Sequence, residues 1–199
     1  MFETFRNMFA VLSDPQELHA VLVHLPVAGS IFGLVLAIIL AVTRGRSHGV
    51  RWSCAAVYLI AAIVAFMAAD IGGDAKVRLS EMGATLTPQM VEHIETHEGL
   101  GQRVWIWLAT TTILVALTAV TQKRVRTIAM VVAVLAGVFT LGWVTMTAYY
   151  GGSLVYGYGV GVPTSSANLN PPAVETPMEQ AVSVPAVPAD QHEPDGGGQ

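Results

Sequence analysis

Between His19 and Arg44 the chain reads HAVLVHLPVAGSIFGLVLAIILAVTR, with no Asp, Glu, Lys or Arg inside those two residues. At about 1.5 Å per residue this run makes roughly 36 Å of helix, enough to cross a hydrocarbon core of about 30 Å with some tilt. A stretch of this length and composition reads as a membrane span. Its one ionisable side chain is His24, roughly a turn and a half inside one end. Pro26 follows closely and is expected to free a backbone carbonyl and kink the helix.

Composition agrees. The 199 residues are 53% hydrophobic and 12% charged, with mean hydropathy +0.55, outside the range of an ordinary soluble domain. A net charge of −4 argues against nucleic acid as a partner. The single cysteine, Cys54, excludes an internal disulfide and a Cys-x-x-Cys-His attachment, so any haem held by this chain is non-covalent. The N-terminus lacks a basic region ahead of a short apolar run, and no cleaved signal is expected.

The pattern predicts an all-α membrane protein, a four-transmembrane-helix bundle with spans at about 19–43, 52–73, 102–121 and 127–149. Residues 1–18 form an amphipathic N-terminal segment through Phe2, Phe5, Met8, Phe9 and Leu12, with Ser13-Asp14-Pro15 as the cap of the next helix. Ile71-Gly72-Gly73-Asp74 is expected to loosen the second span. A polar segment follows over 75–98, and Thr87-Pro88 starts a helix through Met90, Ile94 and His97. The membrane domain is taken as 19–162, its last stretch, SLVYGYGVGV, folding back over the helix ends or lying at the interface. Residues 163–199, rich in Pro and Ala, read as a disordered tail.

Orientation follows from the basic residues. The loops 44–51 and 123–126 hold Arg44, Arg46, Arg51, Lys123, Arg124 and Arg126, six of the ten Lys and Arg, and none of the fourteen acids. Under the positive-inside rule both are cytoplasmic, which makes the protein N-out/C-out with a periplasmic tail, in a bacterial inner membrane.

This topology brings polar residues to one outer level: His24 and His19 on the first span, Asp70 on the second, His97 and His93 on the third, Tyr149 and Tyr150 on the fourth. Two histidines on different helices of a bundle can ligate a b-type haem, each neutral imidazole giving one nitrogen to iron. The pair expected is His24 with His97, with Asp70 and Glu98 as acceptors for the other ring N–H. Lys76, Arg78 or Arg103 would meet the propionates, and Tyr149 would stand nearby. Gly72, Gly73, Gly99 and Gly101 would let a flat macrocycle approach. The plainer alternative for His24 is an interfacial histidine bonded to a neighbouring helix; for His97, a solvated loop residue. His93 and His97 at i and i+4, with Glu92 or His19, would also suit zinc or copper.

Three segments resemble a known family. HAVLVHLPVAG (19–29) is similar to the opening of the bacterial membrane-protein family catalogued as domain of unknown function 2231. HEGLG (97–101) is similar to that family's second characteristic histidine, and GGSLVYGYGVGV (151–162) to its closing glycine-rich motif. The resemblance covers roughly residues 15–162, with Ala20 where the family often has proline. It implies a four-span bundle found near or fused to c-type cytochromes, with haem as the suspected ligand. By carry-over it draws attention to His24 and His97, then His19.

The function expected is therefore a membrane-embedded electron-transfer subunit with a bis-histidine haem b near the periplasmic face. Its expected partners are a membrane redox or photosynthetic complex or a c-type cytochrome subunit, with quinone as a further candidate. The alternatives are a non-catalytic structural or assembly subunit and a periplasmic-face zinc- or copper-binding protein.

Overall fold

The computed structural model describes residues 13–81 and 86–160, and all regular structure among them is helical. The expectations for residues 1–12 and for the tail lie outside the described residues. Helix α1 (Pro15–Leu22) runs almost directly into α2 (His24–Val42), followed by α3 (His48–Glu81), α4 (Pro88–Leu117), α5 (Lys123–Gly152) and a π-helical turn, Ser153–Gly157. Four helical segments, Pro15–Val42, His48–Glu81, Pro88–Leu117 and Lys123–Gly157, are long and apolar enough to cross a membrane.

Local chemistry sets the ends. The Asp14 carboxylate accepts from the Gln16 and Glu17 amides, with Pro15 in the first turn, and Thr87 caps α4 ahead of Pro88 by accepting from the Met90 amide. After α2 the chain turns through two left-handed residues, Arg44 (φ 54°) and Gly45 (φ 68°), and the Gly45 amide donates to the Leu40 carbonyl. At two places the helices are longer than expected. Helix α3 continues through Gly72-Gly73 to Glu81, and the polar helix begun at Pro88 continues into the third span without a break. Both glycines stay helical despite the weak helix propensity of glycine, about 1 kcal/mol per residue, and Gly72 packs beneath the His19 ring. A Lys76–Glu98 ion pair of 2.6 Å joins the two extensions.

The helices form a square in which α3 packs against α2 and α4, and α5 against α4 and α2, while the diagonal α2–α4 pair has little contact. The buried positions repeat. Pro26, Ser30, Gly33, Ala37 and Leu40 on α2 recur, in the same spacing, as Val104, Leu108, Thr111, Val115 and Thr118 along α4 and its cap. Arg51, Cys54, Tyr58, Ala61 and Ala65 on α3 recur as Met130, Ala133, Gly137, Thr140 and Val144 on α5. The bundle is thus two helical hairpins, α1–α3 and α4–α5, that bury matching registers.

Small residues at these positions bring the helices close, as packing between apolar spans requires, while outward side chains such as Phe32, Ile60 and Ile113 are exposed and apolar. Tyr58 fills the centre: a Cβ on Gly33 would stand 2.6 Å from its ring, and one on Gly137 would stand 2.7 Å from its hydroxyl. That hydroxyl is buried without a hydrogen-bond partner among the described residues. Since an unsatisfied buried hydroxyl costs about 1–3 kcal/mol, Tyr58→Phe is expected to stabilise the bundle by about 1 kcal/mol. A higher unfolding midpoint in detergent is the check.

At one end of the bundle Arg51 is only 3% exposed. Its Nε donates to Thr118 Oγ1 (3.0 Å) and its Nη2 to the Gly45 carbonyl (2.7 Å), tying the α2–α3 turn to the end of α4. Arg51 is therefore an internal brace of the basic end rather than part of its surface.

Candidate histidine site

At the opposite end from Arg51, His19 of α1 and His97 of α4 face each other with ring centres 6.2 Å apart and planes at 86°. His19 Nδ1 lies 2.8 Å from the Ala68 carbonyl of α3, and His97 Nδ1 lies 3.0 Å from the Thr147 carbonyl of α5. A carbonyl oxygen only accepts, so Nδ1 carries the proton in both rings and donates it. Each ring is thereby oriented through Nδ1, with Nε2 outside that hydrogen bond.

The two half-sites have the same construction. One turn beyond Ala68 stands Gly72, and one turn beyond Thr147 stands Gly151. A Cβ at Gly72 would lie 3.0 Å from His19 Cε1, and one at Gly151 would lie 2.8 Å from His97 Cε1. Each imidazole thus lies across a helix backbone at a position that only glycine leaves open, anchored by the carbonyl four residues earlier. Ala-Ala-Asp-Ile-Gly-Gly-Asp (68–74) and Thr-Ala-Tyr-Tyr-Gly-Gly-Ser (147–153) are the two versions of this seat.

The pair brought together is therefore His19 with His97. His24 is exposed, and its Nδ1 donates 2.7 Å to the Ala20 carbonyl of the preceding turn. Periodicity distinguishes the two candidates. His19 precedes Pro26 by seven residues, about two turns, and continues the stripe Pro26, Gly33, Leu40, as His97 continues Val104, Thr111, Thr118. His24 falls on the far side of that stripe.

The acidic residues expected behind the rings are elsewhere. Asp70 is exposed, and Glu98 is engaged by Lys76 and by Gln102 Nε2 (3.3 Å). Backbone carbonyls take their place. Arg103 is exposed and donates to the Gly99 carbonyl of its own helix (2.9 Å). Tyr149 is exposed and touches Tyr150. His93 has its Nδ1 on the Gln89 carbonyl (3.1 Å) and its ring between Tyr150 and Tyr158, whose centres lie 5.5 and 5.1 Å away. Tyr158 directly follows the π-helical turn, and its amide donates to the Ser153 carbonyl (3.1 Å). Among the described residues no three His, Cys, Asp or Glu side chains converge as a metal cage.

No family model matches this chain, and none of the curated proteins or solved structures compared with it is a match.

Proposed function

We propose that this chain is a membrane-embedded electron-transfer subunit in which His19 and His97 are the axial ligands of one b-type haem. The observation that carries this reading is the paired anchoring of the two rings: each hairpin offers one imidazole whose Nδ1–H donates to a fixed backbone carbonyl, which leaves Nε2 outside that bond. An imidazole nitrogen binds a transition metal at about 2.0–2.1 Å, so two rings that would hold one ion between them need centres no more than about 6 Å apart. The observed 6.2 Å is compatible with that spacing. Two neutral nitrogens without a third ligand suit a metal whose remaining positions a macrocycle fills. When bound, the haem would supply one-electron exchange.

The residues of the chain would do the rest. Ala68 and Thr147 hold the ring orientation, and Gly72 and Gly151 admit the rings; of the cations at the same end, Lys76 is paired with Glu98 and Arg78 stands 3.9 Å from Asp14, so each would have to exchange a carboxylate to meet a propionate. The six basic residues of the two turns lie at the other end, which by the positive-inside rule is cytoplasmic. The histidine end then faces the periplasm of a bacterial inner membrane, within reach of a c-type cytochrome subunit or a membrane redox complex.

A reduced-minus-oxidised spectrum of detergent-purified protein tests this. The expected result is the α-band of a low-spin b-type haem, with about one haem per chain by pyridine haemochrome. A flat spectrum from folded protein would reject the haem and leave the bundle as a structural or assembly subunit.

A further inference from the structure

Every Asp and Glu among the described residues lies before His19 or between Asp70 and Glu98, so all of them belong to the histidine end. The opposite end holds cations without counter-charges. Arg44, Arg46, Lys123 and Arg124 are exposed and Arg126 is half-buried, whereas the ion pairs among the described residues, Lys76–Glu98 and Arg78–Asp14, lie at the histidine end. The two basic turns form one surface. Gly45 is buried, and a Cβ there would stand 3.4 Å from Arg126 Cδ and 3.2 Å from Met130 Sδ, so the α2–α3 turn packs directly on the start of α5. Beneath it, Arg51 ties the same turn to the end of α4.

Arg44 occupies a position that backbone chemistry ordinarily gives to glycine. Its amide donates to the Ala41 carbonyl (3.0 Å) and the Gly45 amide to the Leu40 carbonyl (2.8 Å). This is the helix ending in which the first residue past the cap is left-handed, and that residue is usually glycine. Here it is Arg44, at φ 54°, a conformation that costs an L-residue energy and that glycine adopts freely. The side chain is exposed and has no hydrogen-bond or ion-pair partner among the described residues. Backbone strain kept at an unpaired, exposed cation points to a use for the charge.

The surroundings of the patch select its partner. An open groove of about 450 Å³ is lined by Lys123, Arg124, Thr127 and Ile128, and so joins two cations to an apolar side chain. From Ile128 the apolar surface continues along α5 through the exposed Val131, Leu135 and Val138. Trp52, exposed at the start of α3, marks the level of the lipid headgroups. A ligand that fits both parts carries an anion at one end and hydrocarbon at the other; soluble polyanions offer only the charge. We propose that the basic end binds anionic phospholipid, the headgroup phosphates meeting Arg44, Arg46, Lys123, Arg124 and Arg126 and an acyl chain following the groove at Ile128. The proposal rests on the chain lying in a membrane and not on the histidine pair.

Native mass spectrometry of the full chain tests it, after incubation in detergent with equal amounts of dioleoylphosphatidylglycerol and dioleoylphosphatidylcholine. The expected result is saturable retention of the phosphatidylglycerol in preference to the phosphatidylcholine, weakened by salt. Arg124→Gln and Arg44→Gly are each expected to lower that preference about five-fold, the usual weight of one cation at an anionic lipid surface. Arg44→Gly also relieves the left-handed strain, so its unfolding midpoint should rise while its lipid preference falls; a loss of binding there is not a loss of fold. Equal retention of the two lipids, a preference that both variants keep, or displacement of the bound lipid by inorganic phosphate or polyglutamate at matched ionic strength would overturn the proposal. The last outcome would assign the surface to soluble anions or to an acidic protein segment. The readout needs no haem, so a flat visible spectrum beside selective lipid retention would refute the histidine centre while leaving the lipid surface standing.

Discussion

Replacing either His19 or His97 with alanine is expected to remove essentially all bound haem, while His24→Ala leaves the full complement. His19 and His97 come from opposite hairpins and are the only histidines among the described residues whose rings meet, so either substitution leaves one imidazole where two are required. Each loses one hydrogen bond to a backbone carbonyl, worth about 1 kcal/mol, which a four-helix bundle should survive. His24 gives up only a bond within its own helix. The measurement is haem per chain beside the unfolding midpoint of each variant. Retention of haem by His19→Ala and its loss from His24→Ala would reverse the ligand assignment.

Gly72→Ala and Gly151→Ala are expected to weaken haem retention by about 10–100-fold each, the usual range for substitutions that disturb the groups behind a metal ligand. The added methyl would stand 3.0 Å from His19 Cε1 or 2.8 Å from His97 Cε1, and the ring can yield only by leaving its carbonyl. The next residue in each pair provides the control. A Cβ on Gly73 or Gly152 meets nothing within 4 Å, so alanine there should retain haem and, by its higher helix propensity, stabilise slightly, by about 0.5–1 kcal/mol. The effect should be similar in the two hairpins because the seats are built alike. A shifted absorption band or midpoint potential in the alanine variants would separate misplaced ligands from a merely loosened fold. Equal haem loss from Gly72→Ala and Gly73→Ala would argue against the seat.

The four apolar segments, their approximate ends and the all-helical character follow from local features of the chain: the uncharged run after His19, the Asp14-Pro15 and Thr87-Pro88 caps, and the basic turns. Apolar length and capping act within a few residues, so the sequence states them directly. It also places His19, His24, His93 and His97 at one level. Which of them meet was partly legible, because His19 and His97 each stand two turns ahead of a buried stripe and His24 does not. The relation between 68–74 and 147–153 was likewise present as two Gly-Gly seats, although Asp70 and Glu98 were more conspicuous as acceptors than a backbone carbonyl, which every residue carries. The tertiary structure decided the rest. His19 finds its acceptor on Ala68 and His97 on Thr147, helices away in the chain, and the His19 ring lies over Gly72. A ring's partner depends on how closely two backbones approach, and that distance is set jointly by the small residues of both helices.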